Sequence, residues 1–316
     1  MKLLACLLNW RTADMTIRAL EKLVVELRHI PRSRACVVDN DSGDGSFEKI
    51  RDAVEDRGWS GLVDVVQSGH NGGFGYGNNV ALRRGMFAKD KPDYFYLLNS
   101  DAFVGDGAVR ALVRHLDEER AVGIAGSHIH GLDGTPQRSC FRFPTVLGEI
   151  DRAARFSALH WLLGDKAIIM PIPSRTTHVD WVAGASMMIR REVLEQVGLF
   201  DETFFLYYEE TDLCLRTQRA GWRISYVRES AVAHIGGAST GVQSHTVVQK
   251  RMPEYVFASR RHYFLKNHGR PVLWAANVAH FVAGATFRAR RRLQNKPDPE
   301  RPREWVDGVV YNLRHP

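Results

Sequence analysis

YFYLLNSD, residues 94–101, is the stretch that decides the fold. Tyr94 to Leu98 form a continuous apolar and aromatic run. A central parallel strand, buried on both faces, shows this kind of run instead of alternation. The run stops in three small polar residues, Asn99, Ser100 and Asp101. In an open α/β sheet, ligands bind in the crevice beyond the carboxyl ends of the strands. An acid there, with Asn99 and Ser100 beside it, suits a hard metal cation held against a diphosphate. The same residues also suit an Asx-turn that merely ends a strand, and the segment alone leaves both readings open.

Strands and helices alternate on either side of this stretch. Lys2 to Leu8 reads as a strand, and Thr16 to Leu27, apolar at Ile17, Leu20, Val24 and Leu27, as a helix. A strand at Ala35 to Val38, a helix at Ser46 to Arg57 and a strand at Leu62 to Val66 follow. Next come a glycine-rich loop, Ser68 to Gly77, and a helix, Asn78 to Phe87. Beyond Asp101 the pattern predicts a helix at Ala108 to Leu116 and a strand at Val122 to Gly126. This alternation predicts an α/β fold: a mostly parallel sheet covered by helices on both faces. Between Ile129 and His178 periodicity is lost, with a hairpin signal at Asp133-Gly134, as expected of a variable segment on the substrate side. A strand from Val182 to Ile189 and helices from Arg191 and near Thr211 restore order, the last ended by Arg219 and Gly221. The expected division is a catalytic domain over 1–240 and a helical, basic C-terminal extension over 241–316.

Composition narrows the classes. With 44% hydrophobic and 25% charged residues in 316, a largely disordered chain is excluded. Cys6, Cys36, Cys140 and Cys214 have no CxxC spacing and read as reduced core residues of a cytoplasmic protein. The net charge of +7 suits nucleic acid, anionic lipid or phosphorylated small molecules. Met1 to Leu8 is too short an apolar run for a signal peptide. Val272 to Phe287, interrupted by Asn277 and His280, falls short of the roughly 20 apolar residues a spanning helix needs. In the tail, Val247 to Lys266 reads as an amphipathic helix, apolar at Val248, Met252, Val256 and Phe257. A second helix starts at Pro271 and ends in RARRR, residues 288–292, before prolines at 297, 299 and 302. A short apolar helix flanked by arginines suits the membrane surface, or a helix packed on the catalytic domain with a solvated basic end.

Several residues could carry chemistry. Asp39 ends a strand, where a carboxylate can accept the imide N–H of a pyrimidine base or a ribose hydroxyl, or simply make a turn. NGGFGYGNN, residues 71–79, lets backbone approach a ligand closely, but fits neither the dinucleotide fingerprint nor the P-loop. Glu209, Glu210 and Asp212 follow an aromatic run. Acids favour the first turn of a helix, yet a carboxylate beside apolar walls also makes a general base. His234, in AVAHIGG, is a structural histidine or, with carboxylate oxygen, a ligand for Mn²⁺ or Mg²⁺.

Taken in order, LLNW, VVDNDSGDGS, NGGFGYGNN, LLNSD, WVAGASMMIRRE, GLFDETFFLYYEETDLCLRTQRAGW and AHIGG resemble the inverting GT-A glycosyltransferases of family 2, particularly the rhamnosyltransferase-like branch. The likeness covers about residues 3 to 240. It implies a GT-A, Rossmann-like fold and a nucleotide-sugar donor. Asp39 would bind the base, Asn71 and Gly72 would lie along the nucleoside, and Asn99-Ser100-Asp101 would stand at the DxD metal motif. Asp101 and His234 would hold Mn²⁺ or Mg²⁺. Trp181, Gly184 and Ala185 would line the donor and acceptor pocket, and the catalytic base falls on Glu210, with Glu209 and Asp212 as alternatives. Two positions depart from the family pattern, Asn99 for the first DxD acid and Glu210 for the usual aspartate. The extra methylene moves the carboxylate by about 1.5 Å.

The resemblance implies an inverting transfer of a hexose, with rhamnose from dTDP-rhamnose the first choice, to a glycan or polyprenyl-diphosphate-linked acceptor in cell-surface polysaccharide synthesis. A UDP-sugar enzyme moving galactosyl, galactofuranosyl or N-acetylglucosaminyl groups is the alternative. The expected location is cytoplasmic, peripheral on the inner face of the membrane, and a homodimer is compatible with the sequence. A sugar-nucleotide pyrophosphorylase would need a glycine-rich loop where LLNWRTADM stands. A nucleic-acid-binding protein would need a basic stripe with interleaved aromatics, which the first 240 residues lack.

Overall fold

A computed structural model of the chain describes residues 2–164, 170–236, 251–298, 301 and 303–315. Val247, Val248, Pro299 and Pro302, named above, lie outside the described residues. The elements are β1 (Leu3–Asn9), α1 (Ala13–Arg28), β2 (Ser33–Asp39), α2 (Ser46–Asp56), β3 (Val63–Gln67), α3 (Gly73–Met86), β4 (Tyr94–Asn99), β5 (Ala102–Val104), α4 (Ala108–Glu118) and β6 (Val122–His130). They continue as β7 (Pro136–Gln137), β8 (Cys140–Phe141), α5 (Val146–Ala154), α6 (Ser157–Leu163), β9 (Thr177–His178), β10 (Trp181–Val182), β11 (Ser186–Arg190) and α7 (Arg191–Val197). The last are α8 (Glu209–Arg219), β12 (Arg223–His234), α9 (Glu254–Leu293) and α10 (Glu304–Arg314).

The residues pack as two compact units. The first comprises Met1–Cys140, Ile172–Phe205 and Glu209–Gln243. The second gathers Phe141–Pro171, Leu206–Tyr208 and Ser244–Pro316. The irregular segment after Phe141 therefore joins the C-terminal helices, a grouping its lost periodicity could not reveal.

In the first unit the sheet runs β3-β2-β1-β4-β11-β6-β12-β5. Its first four strands are parallel. β11 then enters antiparallel between β4 and β6, β12 lies parallel to β6, and β5 closes the edge antiparallel. The α/β reading holds, and the sheet is mostly parallel as expected: six of the eight strands on this path run in one direction, and β11 and β5 are reversed. β4 is central, and Tyr94 to Leu98 are all buried, so both faces of the run are covered as its sequence required. The expected strand Val182–Ile189 is broken: Ala183, Gly184 and Ala185 interrupt it between β10 and β11.

The second correction concerns α3, which starts at Gly73, five residues before the expected Asn78. Its glycines allow close packing and do not break the helix. A Cβ on Gly77 would sit 2.3 Å from a Leu8 methyl, and one on Gly85 2.5 Å from the Phe95 ring.

In the second unit α5 and α10 both pack on α9. Gly269 (φ 83°) interrupts α9, and Pro271 opens its second half, as the sequence indicated. Glu149 of α5 is 1% exposed. It accepts from Arg152 Nη2 at 3.1 Å and lies 3.2 Å from Arg260 Nη2 and 3.1 Å from His280 Nδ1. Burial alone would raise this carboxyl, but Arg152, Arg260 and His280 outweigh it and hold it well below the usual carboxylate range. Removing one partner of a buried pair strands the other's charge. Glu149→Ala should therefore lower unfolding stability by about 3–5 kcal/mol, read as the midpoint shift in urea. The contribution exists above the unfolded-state pKa of Glu149 and fades as pH falls through its depressed folded value.

Candidate functional site

The carboxyl ends of β1, β2, β4 and β12 form one edge of the sheet, because β4, β6 and β12 run in the same direction. Register sets the residues there: Asn9 pairs with Asp39, and Leu8 with Asn99.

Asp39 is 1% exposed. Its Oδ1 accepts from Asn9 Nδ2 (2.7 Å) and Ser42 Oγ (2.6 Å), and its Oδ2 from Ser42 N (3.1 Å). Asn9 Oδ1 in turn accepts from Thr12 Oγ1 (3.2 Å) and Thr16 Oγ1 (2.7 Å), and Thr12 Oγ1 also reaches Ser100 Oγ (3.0 Å). A side-chain chain thus joins Asp39 to the Asn99-Ser100-Asp101 corner. Asn9, Thr12, Thr16 and Ser42 were not singled out from the sequence. No local signal marked them: an asparagine ending a strand, as in LLNW, reads equally well as a turn residue, and strand pairing gives these side chains their roles.

Asp101, 5% exposed, lies with Oδ1 3.1 Å from His234 Nε2, and Asn99 Nδ2 stands 3.5 Å from the same nitrogen. His234 ends β12 opposite Ala102, and its carbonyl accepts from Gln137 Nε2 (3.2 Å). A hard oxygen and an imidazole nitrogen side by side suit Mn²⁺ or Mg²⁺. Among the described residues no group of three His, Cys, Asp or Glu side chains gathers for a metal. A cation here would therefore complete its shell from ligand oxygens and water, as Mg²⁺-type sites commonly do.

Asn71 Oδ1 accepts from Asn40 Nδ2 (2.9 Å) and Gly73 N (3.1 Å), and Gly72 N donates to His70 O. The NGGFGYGNN stretch, read above as a ligand-approach loop, is mostly the first turns of α3. Gly73 brings it against backbone: Phe74 N donates to Phe205 O (2.9 Å). Asn79 makes a two-way pair with the Phe200 main chain (2.9 and 3.1 Å). α3 therefore fixes the loop that precedes α8.

Ahead of α8, Tyr207 and Tyr208 both take left-handed backbone, φ 70° and 71°, a region costing bulky residues of order 1–3 kcal/mol each. The acids of α8 then differ sharply. Asp212 is fully buried and accepts from Arg216 Nε (2.8 Å), while that guanidinium also donates to the Val197 and Leu199 carbonyls at the end of α7. Glu209 is 2% exposed, with Gly75 of α3 packed by its Cβ. Glu210 is partly exposed, yet its Oε2 is buried without a hydrogen-bond partner. Desolvation raises its pKa, opposed by hydrogen bonds from its own N–H and that of Gly184. Gly184 packs so closely on Phe74 that a Cβ would lie 2.8 Å from the ring. Ala185 O accepts from Asn99 N (3.1 Å), tying this turn to the β4 corner. Trp181, three residues earlier, is half-buried. Asp39, Asp101, His234, Gly184 and Glu210 are thus connected along one edge.

Known proteins resemble this chain in sequence and in fold. Over 220 residues the chain is 28% identical to the N-acetylglucosaminyl-diphospho-decaprenol L-rhamnosyltransferase of Mycobacterium tuberculosis, covering 63% of this chain and 68% of that protein. It is 29% identical over 173 residues to rhamnosyltransferase WbbL of Escherichia coli, covering 52% and 61%. In structure it is similar to the mannosyltransferase PcManGT of Pyrobaculum calidifontis, solved with GDP-Man and Mn²⁺. That match has a TM-score of 0.59 at 14% identity and covers 99% of this chain and 79% of the other. At such identity the likeness bears on the fold alone. The model of the family described as "Glycosyltransferase like family 2" matches residues 5–262, and the chain belongs to that family.

Proposed function

We propose that this protein transfers rhamnose from a thymidine diphosphate donor, with inversion, to a hydroxyl of a lipid-linked glycan. The carrying observation is Glu210: a carboxylate with one oxygen desolvated and unpartnered, connected through Gly184, Ala185 and Asn99 to the Asp101–His234 corner. The rhamnosyltransferase relatives, one of them named for a diphospho-decaprenol substrate, support the choice of sugar and acceptor.

In this reading Glu210 takes the proton of the acceptor hydroxyl as the new C1–O bond forms and the bond from C1 to the phosphate oxygen breaks. Its raised basicity matches it to that proton. Asp212, engaged with Arg216, keeps α8 seated on α7, and Glu209 is buried. Asp39 holds Asn9 and Ser42 in place for the base and ribose, with Asn71 and Gly72 alongside. Trp181, Gly184 and Ala185 border the sugar. Asp101 and His234 are the residues to hold a divalent cation, which when bound offsets charge on the departing diphosphate and contributes several kcal/mol at the transition state. A lipid-linked acceptor places the work on the cytoplasmic face of a membrane.

The test is a panel of nucleotide sugars with Mn²⁺, scored first by thermal shift. dTDP-rhamnose should raise the melting temperature more than any UDP-sugar. Asp101→Ala should abolish the Mn²⁺-dependent part of that shift. Equal shifts from UDP-sugars would move the donor to the uridine series, and an unchanged Asp101→Ala response would remove Asp101 from the metal.

A further inference from the structure

The second half of α9 carries a surface that the reaction does not use. From Pro271 to Ala289, about 27 Å of helix at 1.5 Å per residue, every exposed residue is uncharged. The large ones are Trp274, Val278, Phe281 and Val282, which are 37, 59, 39 and 53% exposed. Trp274, Val278 and Val282 recur at helical spacing and share one face, and Phe281, stacked on Trp305 with ring centroids 5.0 Å apart, forms its border. The opposite face is spent on packing: Leu273, Ala276, Ala283 and Phe287 are buried, and Gly284 admits Trp305 of α10, whose Cβ would lie 3.0 Å from an added one. An uncharged strip of this length on a water-facing helix is a docking surface.

Charge identifies its occupant. Residues 251–298 hold ten Lys or Arg against two acids. Exposed cations stand at both ends of the strip, Arg270 before it and Arg292 and Lys296 after it. Arginines nearer the helix are tied to the protein: Arg288 to Asp298, Arg290 to the Ala154 and Arg155 carbonyls, and Arg291 to Pro297 O. No helix among the described residues is long and apolar enough to cross a membrane. We infer that this face lies in the plane of an anionic bilayer, with Trp274, Val278, Phe281 and Val282 entering the boundary between headgroups and acyl chains. The flanking cations sit at phosphate level. Two-fold pairing of the strip with a second copy would set like charges against like at the ends, so the bilayer fits better.

The inference is independent of the reaction proposed above, and its test is co-sedimentation. The full-length protein is spun with vesicles of phosphatidylcholine containing about one-third phosphatidylglycerol, and with phosphatidylcholine alone. The parent should pellet with the anionic vesicles, less so as salt rises. Val278→Asp with Val282→Asp should weaken binding at least about tenfold, with a melting temperature close to the parent's because both sites are exposed. Arg270→Glu with Arg292→Glu should remove most of the preference for anionic lipid. Binding by the double-aspartate variant equal to the parent's, or no binding by the parent, overturns the inference. So does a parent dimer that the aspartates make monomeric while vesicle binding stays unchanged, which would make the strip a subunit contact.

Discussion

Glu210→Gln should fold, bind donor with parental affinity and lose about 10²- to 10⁴-fold in kcat, the range for removing a positioned general base. Glutamine keeps the volume and can still accept the Gly184 N–H, so geometry survives while basicity does not. The parent's rate should rise with pH as Glu210 loses its proton, with the limb centred above the ordinary carboxylate range because desolvation raises this group. The variant's residual rate should lack that limb. Stability should move the other way. An acid whose pKa is raised on folding destabilises the folded state once pH exceeds its unfolded value. The variant should therefore melt no lower than the parent at neutral pH. Full turnover by Glu210→Gln would shift the base to Glu209, since Asp212 is held by Arg216.

Gly73→Ala should be the most disruptive single change on the sheet edge. The new Cβ would lie 1.7 Å from Phe205 O and 2.5 Å from its carbonyl carbon, at a φ of +85°. Backbone stands on both sides of the contact, so no rotamer relieves it, and the Phe74 N–H to Phe205 O bond must open. A loss above about 4 kcal/mol is expected, the range reserved for strain and overpacking, seen as a collapse of soluble yield or of the urea midpoint. Gly61→Ala, with ordinary φ and nothing within 4 Å, is the control and should match the parent. Gly73→Ala melting with that control would mean α3 and the loop ahead of α8 do not need their close approach.

What could be read in advance follows from physical reach. The unbroken apolar run at Tyr94–Leu98 announced a central strand, and its polar end announced the polar edge of the sheet, since both signals are local. β5 is three residues long, too short to show a period beside the stronger Tyr94 strand. Glycines at 73, 75 and 77 look alike whether they break a helix or let one pack tightly, and only the neighbours Phe205, Phe200 and Leu8 decide. The Asp212–Arg216 pair was visible as i, i+4 spacing and would have separated Asp212 from Glu210 at once. Asn9 and Ser42 could not be read beforehand, because their roles come from strand pairing across thirty residues of chain. The reversed strand β11 escaped notice for a similar reason: a buried antiparallel strand has the same apolar texture as a parallel one.

The linkage from Asp39 through Asn9 and Thr12 to Ser100 contains only short side chains, each held at both ends. The span between Asp39 and the Asn99-Ser100-Asp101 corner is therefore stiff. In the proposed reaction a donor with a single phosphate, such as a nucleoside monophosphate sugar, would engage only one end of that span however well its base or sugar matched.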